Sequence, residues 1–329
     1  MEVTILTEAE IRRCVGMDRE AIAVVEDGFT SLAEGAATIP PVMRIDIPEY
    51  KGEVDVKTAY IRGKASFAIK IASGFFENYR RGLPSGSGLM ALISAETGLP
   101  EAILLDNGYL TDVRTGAAGA IAAKYLARAQ IGTAGVIGAG AQARYQMVAL
   151  KLVCDFHRLM VYSRAPEHVE HYASEMAPLL DVEVIKAESV EAVIRESEIV
   201  VTTTPAREPY LKADWLHPGL QITAIGADAE EKQELQAEVL QKADLLACDE
   251  RSQSFRLGEL HHGLEEGLIS QDDEIIELGE LTSGRQPGRR NDEEITVCDL
   301  TGLGVQDTAI ALLAYHKAME KGLGAKIRV

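Results

Sequence analysis

The stretch AGVIGAGAQA, residues 134–143, carries a short apolar run into a glycine turn and leaves it as a helix. In Gly138-Ala139-Gly140-Ala141-Gln142-Ala143 the first glycine permits the tight turn and the second lets the backbone approach a pyrophosphate. Ala143 then keeps the helix close to its sheet, and the helix N-terminus faces the phosphates. Because this loop follows a strand, opens a helix and begins a series of such units, it predicts a nicotinamide or flavin dinucleotide site.

Downstream, apolar runs at 134–137, 159–162, 182–185, 199–203, 222–225 and 245–247 alternate with helical spacing at 141–153, 166–179, 189–196 and 234–242. Alternation of this kind makes a doubly wound parallel sheet. The first half reads differently. A helix over about 8–33 precedes MRIDI, VDVKTAYI, SFAIKIAS, GLMALIS and PEAILLD, separated by turn sequences, which predicts a second domain with a mostly antiparallel sheet. Near the C-terminus, DLTGLGVQDTAIALLAYHKAMEK is a glycine turn followed by a helix, with Gln306 and Asp307 near its start. Pattern leaves open which domain that helix joins.

Alternation along the early strands places Met43, Ile45 and Ile47 on one face and Arg44 and Asp46 on the other. Phe67, Ile69 and Ile71 share a face opposite Lys70, and Asp55 and Lys57 fall together. One sheet face therefore collects charge. It is either a solvated outer face or the lining of a substrate pocket.

A chain of 329 residues with a formal net charge of -18 excludes a broad phosphate-binding surface, so neither nucleic acid nor an anionic membrane is an expected partner. No apolar run is long enough for a membrane span, and MEVTILTEAEIRR lacks the basic-then-apolar pattern of a signal peptide, so a cytoplasmic protein is expected. Cys14, Cys154, Cys248 and Cys298 lie far apart, as buried reduced thiols do, and suggest neither zinc nor a disulfide framework. No metal is expected. The pair His261-His262 reads as surface or capping residues, since neighbours on a helix face different directions.

Taken together, LPSGSGLMALISAETGLPEAILLDNGYLTDVRTGAAGAIAAKYLA, GVIGAGAQA, TTTPAREP, GADAEEKQEL and GLGVQD resemble the ornithine cyclodeaminase and mu-crystallin family over almost the whole chain and in order. The succession ETG, YLTxxRT, GxGxxA is far more specific than the glycine loop alone. DVKTAY, LLDNGYLTDVRT, VVTTTPAREP and GELHH look most like the branch associated with ectoine utilisation and iminosuccinate reduction. The resemblance implies a Rossmann-type sheet, residues 116–304, inserted into a mostly antiparallel α+β substrate and dimerisation domain, residues 1–115 and 305–329, and hence a homodimer.

Carried over by position, the resemblance puts carboxylate binding on Arg44, Lys70 and Arg114 and an acidic group beside the substrate nitrogen on Asp228, with Lys70 and Asp228 as the catalytic pair. A guanidinium fork suits a bidentate carboxylate, and an ammonium adds a compact charge. It also assigns the cofactor to Gly138, Gly140, Ala141, Gln142 and Ala143, and to Arg114, Thr115, Thr203, Thr204 and Gly226. Ser163 and Arg164, after the second strand, suit a 2'-phosphate and lean towards NADP(H); an arginine stacked on adenine leaves NAD(H) acceptable. Lys57 departs from the family, which usually has an uncharged residue there. A cation facing the distal end of the substrate favours a second carboxylate, with help from Ser85; alternatively Lys57 only neutralises Asp55 or Glu53.

The expected activity is therefore an NAD(P)H-dependent reductase of a small imino acid, best iminosuccinate to L-aspartate. The alternative is a cyclodeaminase acting on ornithine or a related diamino acid, and a third class is a non-catalytic ligand-storage protein, since the family includes a crystallin.

Overall fold

The computed structural model describes residues 2–75 and 77–328. In chain order the elements are β1 (Glu2–Thr7), α1 (Glu8–Arg12), α2 (Arg19–Ala33), β2 (Ala37–Thr38), β3 (Met43–Ile47), β4 (Gly52–Ile61), β5 (Ser66–Phe75), β6 (Gly86–Ser94), β7 (Pro100–Leu105) and α3 (Tyr109–Leu126). Then follow β8 (Thr133–Ile137), α4 (Ala141–Val153), β9 (Arg158–Tyr162), α5 (Pro166–Leu180), β10 (Glu183–Lys186), α6 (Val190–Glu196), β11 (Ile199–Thr202), β12 (Gln221–Ala224), α7 (Ala237–Lys242) and β13 (Leu245–Cys248). The last elements are α8 (Arg251–Leu257), α9 (Glu259–Glu265), β14 (Ile275–Glu277), α10 (Leu278–Thr282), β15 (Thr296–Asp299), α11 (Gly304–Glu320) and β16 (Ala325–Arg328). They form two compact units, one running to Arg114 and resuming at Leu303, the other Thr115–Gly302.

The helix expected over 8–33 is two helices preceded by a strand. Thr7 ends β1 and opens α1, its backbone N–H and hydroxyl both donating to Glu10 Oε2. Helix α1 stops at Arg12, and Asp18 begins the second helix by accepting from Ala21 N at 2.9 Å.

In the first unit eight strands form one sheet, ordered β16-β1-β7-β6-β5-β4-β2 with β3 also on β4. Among the described residues only β1 and β7 pair parallel in this sheet. Lys57 stands opposite Lys70, and Lys70 opposite Met90, so these side chains share a face, with Ala59, Ala68 and Leu92 two residues along. That face is covered, because α11 packs across β4 and β5. Gly304 makes the approach possible: a Cβ there would lie 2.1 Å from the Thr58 carbonyl oxygen. Thr308 on α11 then donates to Ala59 O at 2.8 Å and accepts from Ala68 N at 3.1 Å.

The charged face is therefore not solvated at Lys57 and Lys70, while Asp46, on the same face of β3, is exposed. Lys57 and Lys70 are 7% and 2% exposed, whereas Met43, Ile45 and Ile71 on the opposite face are 54%, 52% and 40% exposed. Alternation assigns residues to faces; it does not say which face a later helix covers.

In the second unit all eight strands are parallel, in the order β10-β9-β8-β11-β12-β15-β13-β14. From β8 the chain builds outward through β9 and β10, then returns to add β11 on the other side. Such a reversal leaves a crevice at the strands' C-terminal ends, where α/β sheets bind ligands. The central strands are buried along their whole length, as a sheet covered on both faces requires. All four cysteines are free thiols, three of them buried. Among the described residues no helix is long and apolar enough to cross a membrane.

Candidate active site

In the first unit the inward sheet face ends in an ionic cluster. Lys70 Nζ on β5 lies 3.0 Å from Asp307 Oδ2, and Arg114 Nε on α3 lies 3.0 Å from Asp307 Oδ1. Arg114 also donates through Nη1 to Gln306 Oε1 at 2.9 Å. Burial is the main reason Lys70 falls to about 7, with Arg114 pushing the same way and Asp307 opposing. For Asp307 burial alone would raise the value, but Lys70 and Arg114 outweigh it and hold the carboxylate below its ordinary range. Lys57 adds to the positive potential at both Lys70 and Asp307.

Arg44 on β3 sits opposite Asp55 on the same sheet face, but its guanidinium binds Asp46 at 2.9 Å and Glu53 at 2.7 Å. Asp55 Oδ1 is a buried carboxylate oxygen with no hydrogen-bond partner among the described residues. Ser85 is exposed just before β6, where its carbonyl accepts from Phe75 N, and among the described residues no hydrogen bond joins its side chain to the cluster. Lys57, Lys70 and Arg114 are thus brought together, Arg44 is tied to acids of its own hairpin, and Ser85 stands apart.

In the second unit the glycine loop spans the turn from β8 to α4. Gly138 takes φ 115°, and a Cβ on it would come 2.4 Å from Thr203 Oγ1, so the turn requires glycine. Gly140 caps α4 without a side-chain hydrogen bond, and a Cβ there would meet nothing within 4 Å. Open space beside a helix start with uncapped N–H groups is the shape a pyrophosphate takes, and these residues fit a dinucleotide. Ala143 is fully buried, Ala141 is exposed, and Gln142 Oε1 accepts from Gln146 Nε2 at 3.5 Å. Gln146 also donates to Thr115 O at 2.8 Å, tying α3 to α4 within this unit.

Half-buried Ser163 and exposed Arg164 follow β9 at the same C-terminal edge. Thr203 follows β11, where its N–H and hydroxyl both donate to Ile137 O. Thr204 and Gly226 donate their backbone N–H groups to Glu234, at 2.6 and 2.9 Å. Asp228, just beyond β12, accepts from Lys232 Nζ at 2.7 Å; the lysine is buried while the aspartate side chain is 46% exposed.

Sequence reading missed Asp307 as counter-ion, Lys232 beneath Asp228, and Glu234. His261 and His262 are half-buried; His261 hydrogen-bonds to the carbonyl of Phe255 in the last turn of α8, a capping contact, and His262 to the carbonyl of Lys232. With Glu265, their ligand atoms come within 4.8 Å of one another.

A model of the ornithine cyclodeaminase/mu-crystallin family matches residues 1–322. Three solved structures share the whole fold. A Δ1-pyrroline-2-carboxylate reductase of Thermococcus litoralis, in complex with NADH and L-proline, is 32% identical with a TM-score of 0.94, covering 99% of this chain and 100% of that one. An archaeal alanine dehydrogenase dimer with bound NAD is 37% identical with a TM-score of 0.93, covering 100% and 99%. The iminosuccinate reductase of Paracoccus denitrificans, in complex with NAD+, is 29% identical with a TM-score of 0.91, covering 100% of both.

Proposed function

The chain belongs to the ornithine cyclodeaminase/mu-crystallin family, and from that premise we propose an NAD(P)H-dependent imino acid reductase whose substrate is iminosuccinate and whose product is L-aspartate. It is an NAD(P)-dependent oxidoreductase of C–N bonds. The choice of a dicarboxylic substrate is carried by Lys57, a buried cation in register with Lys70 on the covered sheet face. Asp307 feels three cations, Lys57, Lys70 and Arg114, and the carboxylates of a ligand are attracted to the same group.

When bound, the nicotinamide supplies a hydride to the imine carbon. Arg44, Lys70 and Arg114 receive the α-carboxylate and fix the imine's orientation. Asp228 accepts a hydrogen bond from the iminium N–H and so favours the protonated, electrophilic form. Lys232 holds the Asp228 carboxylate in place through its hydrogen bond. Lys57 receives the second carboxylate.

The exposed apolar residues Met43, Ile45 and Ile71 support a homodimer through that outer sheet face, and the archaeal relative is itself a dimer. Four free thiols support a reducing compartment, the cytoplasm.

One observation favours cyclodeamination instead: the unpartnered Asp55 Oδ1, on the same face as Lys57, would suit the distal ammonium of a diamino acid. Loss of NADH or NADPH absorbance with oxaloacetate plus ammonia, against pyruvate plus ammonia, separates the two. Oxidation with the dicarboxylic pair alone supports the reductase. Ammonia release from ornithine at catalytic NAD, with no net oxidation, replaces it by the cyclodeaminase. Michaelis constants for the two cofactors in the same assay decide whether Arg164 selects the 2'-phosphate.

A further inference from the structure

Glu234 has no exposed surface, yet five donors converge on its carboxylate. Oε1 accepts from Thr204 N at 2.6 Å, Thr204 Oγ1 at 2.6 Å and Tyr210 OH at 2.7 Å. Oε2 accepts from Thr202 Oγ1 at 2.6 Å and Gly226 N at 2.9 Å. Four of these donors, all but Tyr210 OH, lie at or just past the C-terminal ends of β11 and β12, and β11 borders the strand that feeds the glycine loop. Gly226 is glycine because a Cβ there would stand 2.6 Å from Glu234 Oε2 and 2.1 Å from Thr204 O.

The segment carrying Glu234 is held from behind by one short helix. Glu259, at the start of α9, accepts from Glu234 N at 2.8 Å and Leu235 N at 3.2 Å. His262, in the same helix, donates through Nε2 to Lys232 O at 2.9 Å. The side chains of the anchored residues then point forward, Lys232 to Asp228 and Glu234 to the ends of the two strands. A buried carboxylate is costly unless its lone pairs are filled, and here they are filled by the backbone and hydroxyls of two separate loops.

We infer that Glu234 is a positioning residue for the dinucleotide: it splints Thr202, Thr204 and Gly226 into one rigid edge, with α9 as its anchor. This rests on the reading of that edge as the cofactor site. Glu234→Gln is the discriminating change, because whichever way the amide is turned, its NH2 faces a backbone N–H that cannot rotate away, of either Thr204 or Gly226. A buried donor left without an acceptor weakens the splint directly.

The experiment titrates NADH into wild type and Glu234→Gln by cofactor fluorescence, with no substrate present, and follows succinate binding in parallel by calorimetry. The expected result is a rise of about tenfold in the NADH dissociation constant, equivalent to about 1.4 kcal/mol, with succinate affinity unchanged. A general loss of folding would move both ligands together. A folded Glu234→Gln that binds NADH as wild type does overturns the inference. Should that variant not fold, Thr202→Val/Tyr210→Phe removes one hydroxyl from each oxygen and keeps the charge; NADH binding weakened several-fold supports the splint, and unchanged binding overturns it. Wild type that binds NADH but reduces no imine sinks the proposed reaction and leaves this inference standing, whereas wild type that binds no dinucleotide overturns both.

Discussion

Lys70 and Asp307 form an ion pair with both side chains buried, Nζ and Oδ2 3.0 Å apart, and the same carboxylate meets Arg114 through its other oxygen. Removing one partner of such a pair leaves an uncompensated charge out of water. Asp307→Asn is expected to destabilise the protein by about 3–5 kcal/mol, read as a lowered denaturation midpoint in urea. An unchanged midpoint would mean the charges are solvated in solution.

The pH dependence of carboxylate binding follows from Lys70. Its value of about 7 lies below the ordinary 10.5, so the free protein loses this positive charge as pH rises through about 7. Succinate affinity is expected to fall across that range, and Lys70→Met is expected to flatten the profile while weakening binding overall. For stability the sign is opposite: between about 7 and 10.5 the unfolded chain holds the proton that folded Lys70 has lost, so this group makes stability rise with pH there. Calorimetric titrations of succinate at several pH values test the binding claim, and a profile that Lys70→Met leaves unaltered would remove Lys70 from it.

Lys57→Met keeps most of the side chain's volume and deletes its charge. With the dicarboxylic imine, kcat/KM is expected to fall by about 10²-fold or more, the scale of losing one charge-assisted hydrogen bond, and with the imine of pyruvate to change little. Equal losses with both substrates would show that Lys57 only maintains the fold.

Ile45 is 52% exposed on the outer sheet face between Met43 and Ile47. Ile45→Glu puts a charge where the proposed dimer needs an apolar surface. Light scattering on the eluted protein is expected to show monomer for the variant and dimer for the wild type. A variant that elutes as a dimer moves the interface elsewhere.

Local chemistry was readable in the sequence. The helix expected over 141–153 is α4 to the residue, because a glycine turn and helical spacing specify their own boundaries. Strands β3 to β7 were likewise visible in alternation and turn residues. What stayed hidden depends on partners distant along the chain. Nothing near Asp307 says that it neutralises Lys70, and nothing near Glu234 says that its partners include two backbone amides, since any residue type supplies a backbone amide. The break at 13–18 was missed for a smaller reason: apolar residues continue at helical spacing across it, and only Gly16 and Asp18 mark the interruption.

The order in which the chain is made gives α11 a consequence of its own. Ala68 N and Thr308 Oγ1 are hydrogen-bonded across 240 residues of sequence, and the carboxylate that neutralises Lys70 and Arg114 lies one residue before Thr308. As the chain leaves the ribosome, the second unit is continuous and closes from its own sequence, while the first waits with an uncovered sheet and uncompensated cations. The first half to be translated is the last to mature. Translation that stops before Leu303 therefore releases a chain whose second unit has all its strands and whose first exposes the apolar Ala59, Ala68, Met90 and Leu92 of the sheet face that α11 would cover.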